Sequence, residues 1–140
     1  MSLINTHSLS HLPVGGTEKF TSLEVMRDMN FNEYQALAMR TAGDYSKDSL
    51  ILNGVMGLCG EAGECIDIVK KHKFQGHALD AEKLLDEASD CLWYLAIIAS
   101  GLDITLEEIA IHNVEKLKKR YPDGFDVSKS RIRLNKEKSL

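Results

Sequence analysis

Along the middle of the chain, apolar residues return every three or four positions, the spacing of one face of an α-helix. Ile51, Leu52, Val55, Leu58, Cys59, Ala62, Cys65, Ile66 and Val69 form one such stripe and predict a helix ending near Lys73. Leu84, Leu85, Ala88, Cys91, Leu92, Leu95, Ala96 and Ala99 form a second stripe, with Asp80 as N-cap and Gly101 as its close. The connector between them, around Phe74 to Asp80, is short, so the two helices should pack as an antiparallel hairpin. Upstream, Asn32 with Gln35 reads as a capping box that opens a helix running to about Ala42, buried through Tyr34, Leu37, Ala38 and Thr41 and ended by Gly43. The polar residues 44–49 read as a loop, and residues 21–29 as a short helical turn. Downstream, Thr105 and Glu108 make another capping box, with Ile104 and Ile109 placed as a hydrophobic staple. A helix should follow to Arg120, where Tyr121-Pro122-Asp123-Gly124 stops it. The expected fold is all-α, a bundle of about four to five helices built on the antiparallel hairpin.

The polar positions beside the two stripes are acids at matching places. Glu61 and Glu64 are three apart, as are Glu87 and Asp90, so each pair shares a helix surface. Ile68 falls between the first pair in projection and Tyr94 between the second. Asp67 points elsewhere and reads as a solvated acid. The offset from stripe to acids has the same sign in both helices, and an antiparallel pair carries a local two-fold, so all four carboxylates should line one groove. Clustered carboxylates either protonate or bind cations, and hard divalent cations such as Mg²⁺ combine carboxylates with substrate phosphates. One reading is therefore a Mg²⁺ site that receives a polyphosphate. The other is two helices with ordinary acidic outer faces. Gly57, Gly60 and Gly63 weaken the first helix by about 1 kcal/mol each against alanine, which points to a crowded face, either tight helix packing or room for metal and phosphates.

Composition narrows the classes. The chain has 140 residues, enough for one domain, and a formal charge of −4, which argues against a general nucleic-acid binder. No uncharged apolar run is long enough to span a bilayer and no secretory signal opens the chain, so a cytoplasmic protein without membrane contact is expected. Cys59, Cys65 and Cys91 all fall on apolar stripes and read as buried free thiols. The chain divides into a flexible arm at residues 1–20, a domain at 21–125 and a locally basic tail at 126–140. In the last long helix Asn113, Lys116 and Arg120 share a face; they read either as a core amide with two snorkelling cations or as a polar clamp on substrate. Lys70, Lys71 and Lys73 complement the C-terminal dipole of the first acid helix, with a role near phosphates open to one of them.

Gly60-Glu61-Ala62-Gly63-Glu64 followed by Glu87-Ala88-Ser89-Asp90 closely resembles the Glu-x-x-Glu … Glu-x-x-Asp signature of the MazG-like nucleoside triphosphate pyrophosphohydrolases. The resemblance takes in Asn32-Glu33-Tyr34-Gln35 with Arg40-Thr41-Ala42 upstream. Downstream it takes in Asn113, Lys116 and Arg120-Tyr121-Pro122-Asp123-Gly124-Phe125, so that it spans residues 31–125. It implies an all-α enzyme that binds Mg²⁺, with Mn²⁺ as a substitute, through Glu61, Glu64, Glu87 and Asp90. It implies cleavage of a nucleoside triphosphate to monophosphate and pyrophosphate, as in house-cleaning of nucleotide pools, and a homodimer or homotetramer. Glu64 is then the expected general base, and Tyr94, Asn113, Lys116 and Arg120 the substrate-binding set.

Two other classes are open. A di-iron carboxylate bundle would use the same acids, although both pairs lack the histidine usual in such sites. A non-catalytic interaction bundle would need neither metal nor substrate. The second acid helix is apolar on nearly every side from Cys91 to Ala99, so Trp93 and Ile97 are expected to face another subunit in a homo-oligomer.

Overall fold

In the computed structural model, residues 28–128 are described, and the expected arm at residues 1–20 and most of the basic tail lie outside them. Among the described residues there are four helices and no strand. They are α1 (Phe31–Met39), α2 (Lys47–Phe74), α3 (Ala81–Gly101) and α4 (Leu106–Arg120). The fold is all-α, as the periodicity predicts. α2 and α3 form the antiparallel hairpin, and α3 is its inner member: it packs on α2 along most of its length and also touches α1 and α4.

Helix starts follow side-chain chemistry, with one displacement from the expected pattern. Asp80 caps α3 through the Lys83 N–H (3.0 Å), and Thr105 and Glu108 close the reciprocal box at α4. The box at α1 belongs to Asn30 and Glu33 instead of Asn32 and Gln35. The two pairs share the same spacing, so the local pattern fits both; tertiary contacts separate them. Gln35 is drawn to the α3–α4 corner, where its amide donates to Ser100 Oγ (3.0 Å) and the Ile104 carbonyl (3.1 Å) and accepts from the Leu106 N–H (2.7 Å). Asn32 donates to Glu107 (2.9 Å). α1 ends at Met39 rather than Ala42, and α2 begins at Lys47 under an N-cap from Ser46, so half of the expected loop is helical.

The hairpin is close because glycines allow it. A Cβ added at Gly57 would lie 2.1 Å from the Tyr94 ring, and one at Gly54 would lie 2.5 Å from Ile98. α3 ends at Gly101, as expected, and this glycine also lets Ile51 and the Lys47 carbonyl approach. The residues after it complete a Schellman motif, with Ile104 N–H donating to the Ala99 carbonyl and Asp103 N–H to that of Ser100. Asp103 takes the left-handed conformation (φ 57°) and pairs with Lys47 across the hairpin's end.

Two expectations about burial are corrected. The Trp93–Ile97 strip is covered within the chain: Ile97 is fully buried, and Trp93 Nε1 donates to the Ala38 carbonyl (3.2 Å) and Thr41 Oγ1 (2.9 Å). α1 thus caps this side, and Ala38, Ala96 and Leu106 form a small core with Tyr34, Leu92, Leu95 and Ile109 around it. On α2 the buried line runs through Leu50, Gly54 and Ile68, while Leu52, Val55, Ile66 and Val69 of the expected stripe are exposed. The stripe is wider than one neighbour can cover. Cys59 is exposed, and Cys65 and Cys91 are only half-buried, so the thiols are free but not buried.

Candidate active site

The site is built on the hairpin. Glu61 on α2 faces Glu87 and Asp90 on α3, and one oxygen from each lies within 4.8 Å of the others. The helices hold this spacing because Gly54 and Gly57 set their separation and Glu87 and Asp90 are one turn apart on the facing side. Glu61 and Glu87 are half-buried and Asp90 is exposed, so the cluster opens to solvent along one edge.

Crowding has an electrostatic consequence. Desolvation pushes the Glu61 carboxyl above its usual range, helped by a hydrogen bond shared with Glu87 and by the charges of Asp90, Glu87 and Glu64. The crowding that raises Glu61 would be relieved by a bound cation. The donor set is oxygen throughout, which suits a hard divalent cation, and the residues present fit such an ion.

Glu64 stands apart from the three. It is exposed on the outer edge, near enough for its charge to act on Glu61 and on Lys71. Lys70 and Lys71 both pair with Asp67, which holds that carboxyl down at about 2. Asp67 is therefore an ion-paired acid on the flank next to Glu64 instead of a merely solvated one. Gly60 and Gly63 have no atom within 4 Å of an added Cβ, so they leave α2 open where Gly54 and Gly57 make it close.

The expected substrate residues are spread out. Tyr94 is half-buried with its ring against Gly57 and edge-on to Trp93 (4.9 Å between centroids), one turn along α3 from Asp90. Asn113 and Lys116 are exposed on α4, and Arg120 is half-buried at its end. Of the two readings of Asn113, the core amide is not found, because α4 covers only its Leu106–Ala110 end against the bundle. A residue the acid spacing missed is Tyr34 of α1: burial and the negative charge of Asp90 raise its phenol pKa, which places it beside the acid edge. Its signal in the sequence was the Asn32-Glu33-Tyr34-Gln35 segment. Cys91 is a second, its thiol pushed up by burial, by its contact with Cys65 and by the charges of Glu61 and Asp90.

Comparison with known proteins adds a family to this geometry. The family described as "MazG nucleotide pyrophosphohydrolase domain" matches residues 52–125, the stretch that contains all four acids. A curated relative, "Gene 37 protein" of Mycobacterium phage L5, is 32% identical over 105 residues, which cover 69% of this chain and 92% of the relative. No solved structure matches significantly. With an all-α hairpin, converging acids and a family match over more than half its length, this chain belongs to the MazG nucleotide pyrophosphohydrolase domain family.

Proposed function

We propose that the protein hydrolyses a nucleoside triphosphate to the monophosphate and pyrophosphate, with Mg²⁺ as its ion and Mn²⁺ as a substitute. The observation that carries this reading is the convergence of Glu61, Glu87 and Asp90 within 4.8 Å on the hairpin of a MazG-family chain. These three acids would hold the ion and Glu64 would complete the set from the outer edge. When bound, the ion supplies charge neutralisation for the polyphosphate and lowers the pKa of water.

The chain's own residues do the rest. The hairpin fixes the three carboxylates on rigid helices, so substrate meets them in a preset geometry. Glu64, exposed and next to the cluster, is assigned the general base that takes a proton from the attacking water. Lys71 next to Glu64, and Lys116 on α4, would offset phosphate charge. Asn113 and Arg120 would bind substrate from the same helix. Tyr94 fixes the hairpin spacing through Gly57, and its ring is assigned the wall of the substrate groove. House-cleaning of nucleotide pools in the cytoplasm is the role this reaction suits. Among the described residues no helix is long and apolar enough to cross a membrane.

Phosphorus NMR of the products with Mg²⁺ present tests the reading. Pyrophosphate together with nucleoside monophosphate is expected, and stepwise release of orthophosphate would rule out the assigned bond. The same assay across a nucleotide panel identifies the base and sugar preference.

A further inference from the structure

α2 and α3 bring two of the three cysteines together beside the acids. Cys65 on α2 and Cys91 on α3 are both half-buried, and their thiols are in contact across the hairpin. Each stands one turn beyond a clustered acid of its own helix, Cys65 after Glu61 and Cys91 after Glu87. Around α2, Cys65 and Glu64 fall on opposite flanks of Glu61, so the thiols back the acid cluster on the side away from Glu64. Cys65 also lines an open groove of about 450 Å³ with Ile66, Val69, Phe74, Lys70 and Lys73. That volume falls among small-molecule sites, which span about 300–1,000 Å³. Apart from the thiol, the lining is apolar side chains and two cations. A small anionic molecule therefore has a route to one thiol of the pair, and the second thiol waits behind it.

We propose that Cys65 and Cys91 form a redox switch, in which an anionic low-molecular-weight disulfide enters this groove and is exchanged for a Cys65–Cys91 disulfide that weakens the adjacent ion site. The last step rests on the reading of Glu61, Glu87 and Asp90 as the ion's ligands. Cys65 Sγ attacks one sulfur of the incoming disulfide, whose S–S bond breaks and releases the first small thiol. Cys91 Sγ then attacks Cys65 Sγ, forms the bond across the hairpin and expels the second small thiol. The two cysteines are oxidised, the small disulfide is reduced to two thiols, and the cysteine protons leave with them. A disulfide fixes its Cβ atoms at a set separation, so α2 and α3 must adjust one turn from the acids. An ion held by acids from both helices depends on their relative position, and the adjustment costs it affinity. In a reducing compartment such a bond forms only while oxidant is in excess, and free thiols undo it.

Peptide mapping of the full chain after treatment with oxidised glutathione tests the bond. The Mg²⁺-induced shift of the thermal melt, together with turnover, tests its effect. A Cys65–Cys91-linked peptide is expected, with the Mg²⁺ shift and turnover each lowered at least several-fold and both recovered with dithiothreitol. Cys91→Ser should stop at the mixed disulfide and carry one glutathione on Cys65. Cys65→Ser should keep its Mg²⁺ shift and turnover in the oxidant. Lys73→Glu should slow the exchange with oxidised glutathione several-fold and speed it with the cationic disulfide cystamine. Cys65 and Cys91 left free by excess oxidant would overturn the proposal. So would a complete Cys65–Cys91 bond that leaves the Mg²⁺ shift unchanged. A reduced protein with neither Mg²⁺ shift nor hydrolysis would refute the ion reading and the switch with it, while the peptide map would still decide the exchange.

Discussion

Glu61 shows what close carboxylates do at the scale of one residue. Its carboxyl binds a proton more tightly in the folded chain than at the ordinary glutamate value of 4.5. The folded state therefore holds more protons than the unfolded one over the window from 4.5 upward to the raised folded value. Stability from this group is full below that window and is lost as pH rises through it. The metal-free protein should melt at falling temperature as pH rises from 4.5 through that window, and Glu61→Gln should flatten the fall. A Glu61→Gln profile parallel to wild type would show that the acids are too far apart to feel one another. The same substitution should lower turnover by roughly 100-fold or more, the scale of losing one electrostatic stabiliser of a transition state. Asp67 behaves oppositely: its carboxyl is held at about 2 by Lys70 and Lys71, so its contribution is present above the ordinary range and lost as pH falls towards 2.

At the scale of the helix, the four interior glycines of α2 divide into two kinds. Gly57 is in contact and Gly60 is not, although both weaken helix α2 in the same way. Gly57→Ala would drive a methyl into the Tyr94 ring and spread the hairpin, an overpacking cost of about 1–3 kcal/mol. Gly60→Ala meets open space and should raise stability by up to about 1 kcal/mol. Thermal melts of the two variants should therefore shift in opposite directions. If Gly60→Ala also lowers turnover while raising the melting temperature, the missing side chain is room kept for substrate. Equal destabilisation by both would mean that Gly60 has a neighbour the single chain lacks.

For the molecule as a whole, the hairpin is held apart from water on one side only. α1 and α4 close the side that carries Trp93 and Ile97, and the outer side of α2 remains bare. The acids bridge α2 and α3, so an ion held by Glu61, Glu87 and Asp90 would tie the two long helices together. Mg²⁺ at 100 times its dissociation constant should stabilise the fold by about 2.7 kcal/mol, which calorimetry would read as a rise of several degrees. Asp90→Ala should remove most of that rise and leave the metal-free melt equal to wild type or steadier. A Mg²⁺ shift that survives Asp90→Ala would move the ion elsewhere.

The sequence by itself determined the helices, their hairpin and the pairing of acids, because each rests on interactions within a few residues. A three-and-four periodicity dictates the stripe, a capping side chain reaches three residues on, and a short connector leaves antiparallel packing as the compact option. Tertiary structure decided what depends on a neighbour. Asn30 and Asn32 both begin capping-box patterns, and the pull of the α3–α4 corner on Gln35 and of Glu107 on Asn32 selected between them. Trp93 read as an interface residue until α1 supplied the carbonyl and hydroxyl that its indole bonds. The acid spacing placed Glu64 with the others, yet the crossing of the helices brings only Glu61 onto Glu87 and Asp90 and leaves Glu64 on the edge. Periodicity marks α2 as apolar without saying which side its own chain will cover, and that followed only from where the glycines let α3 approach.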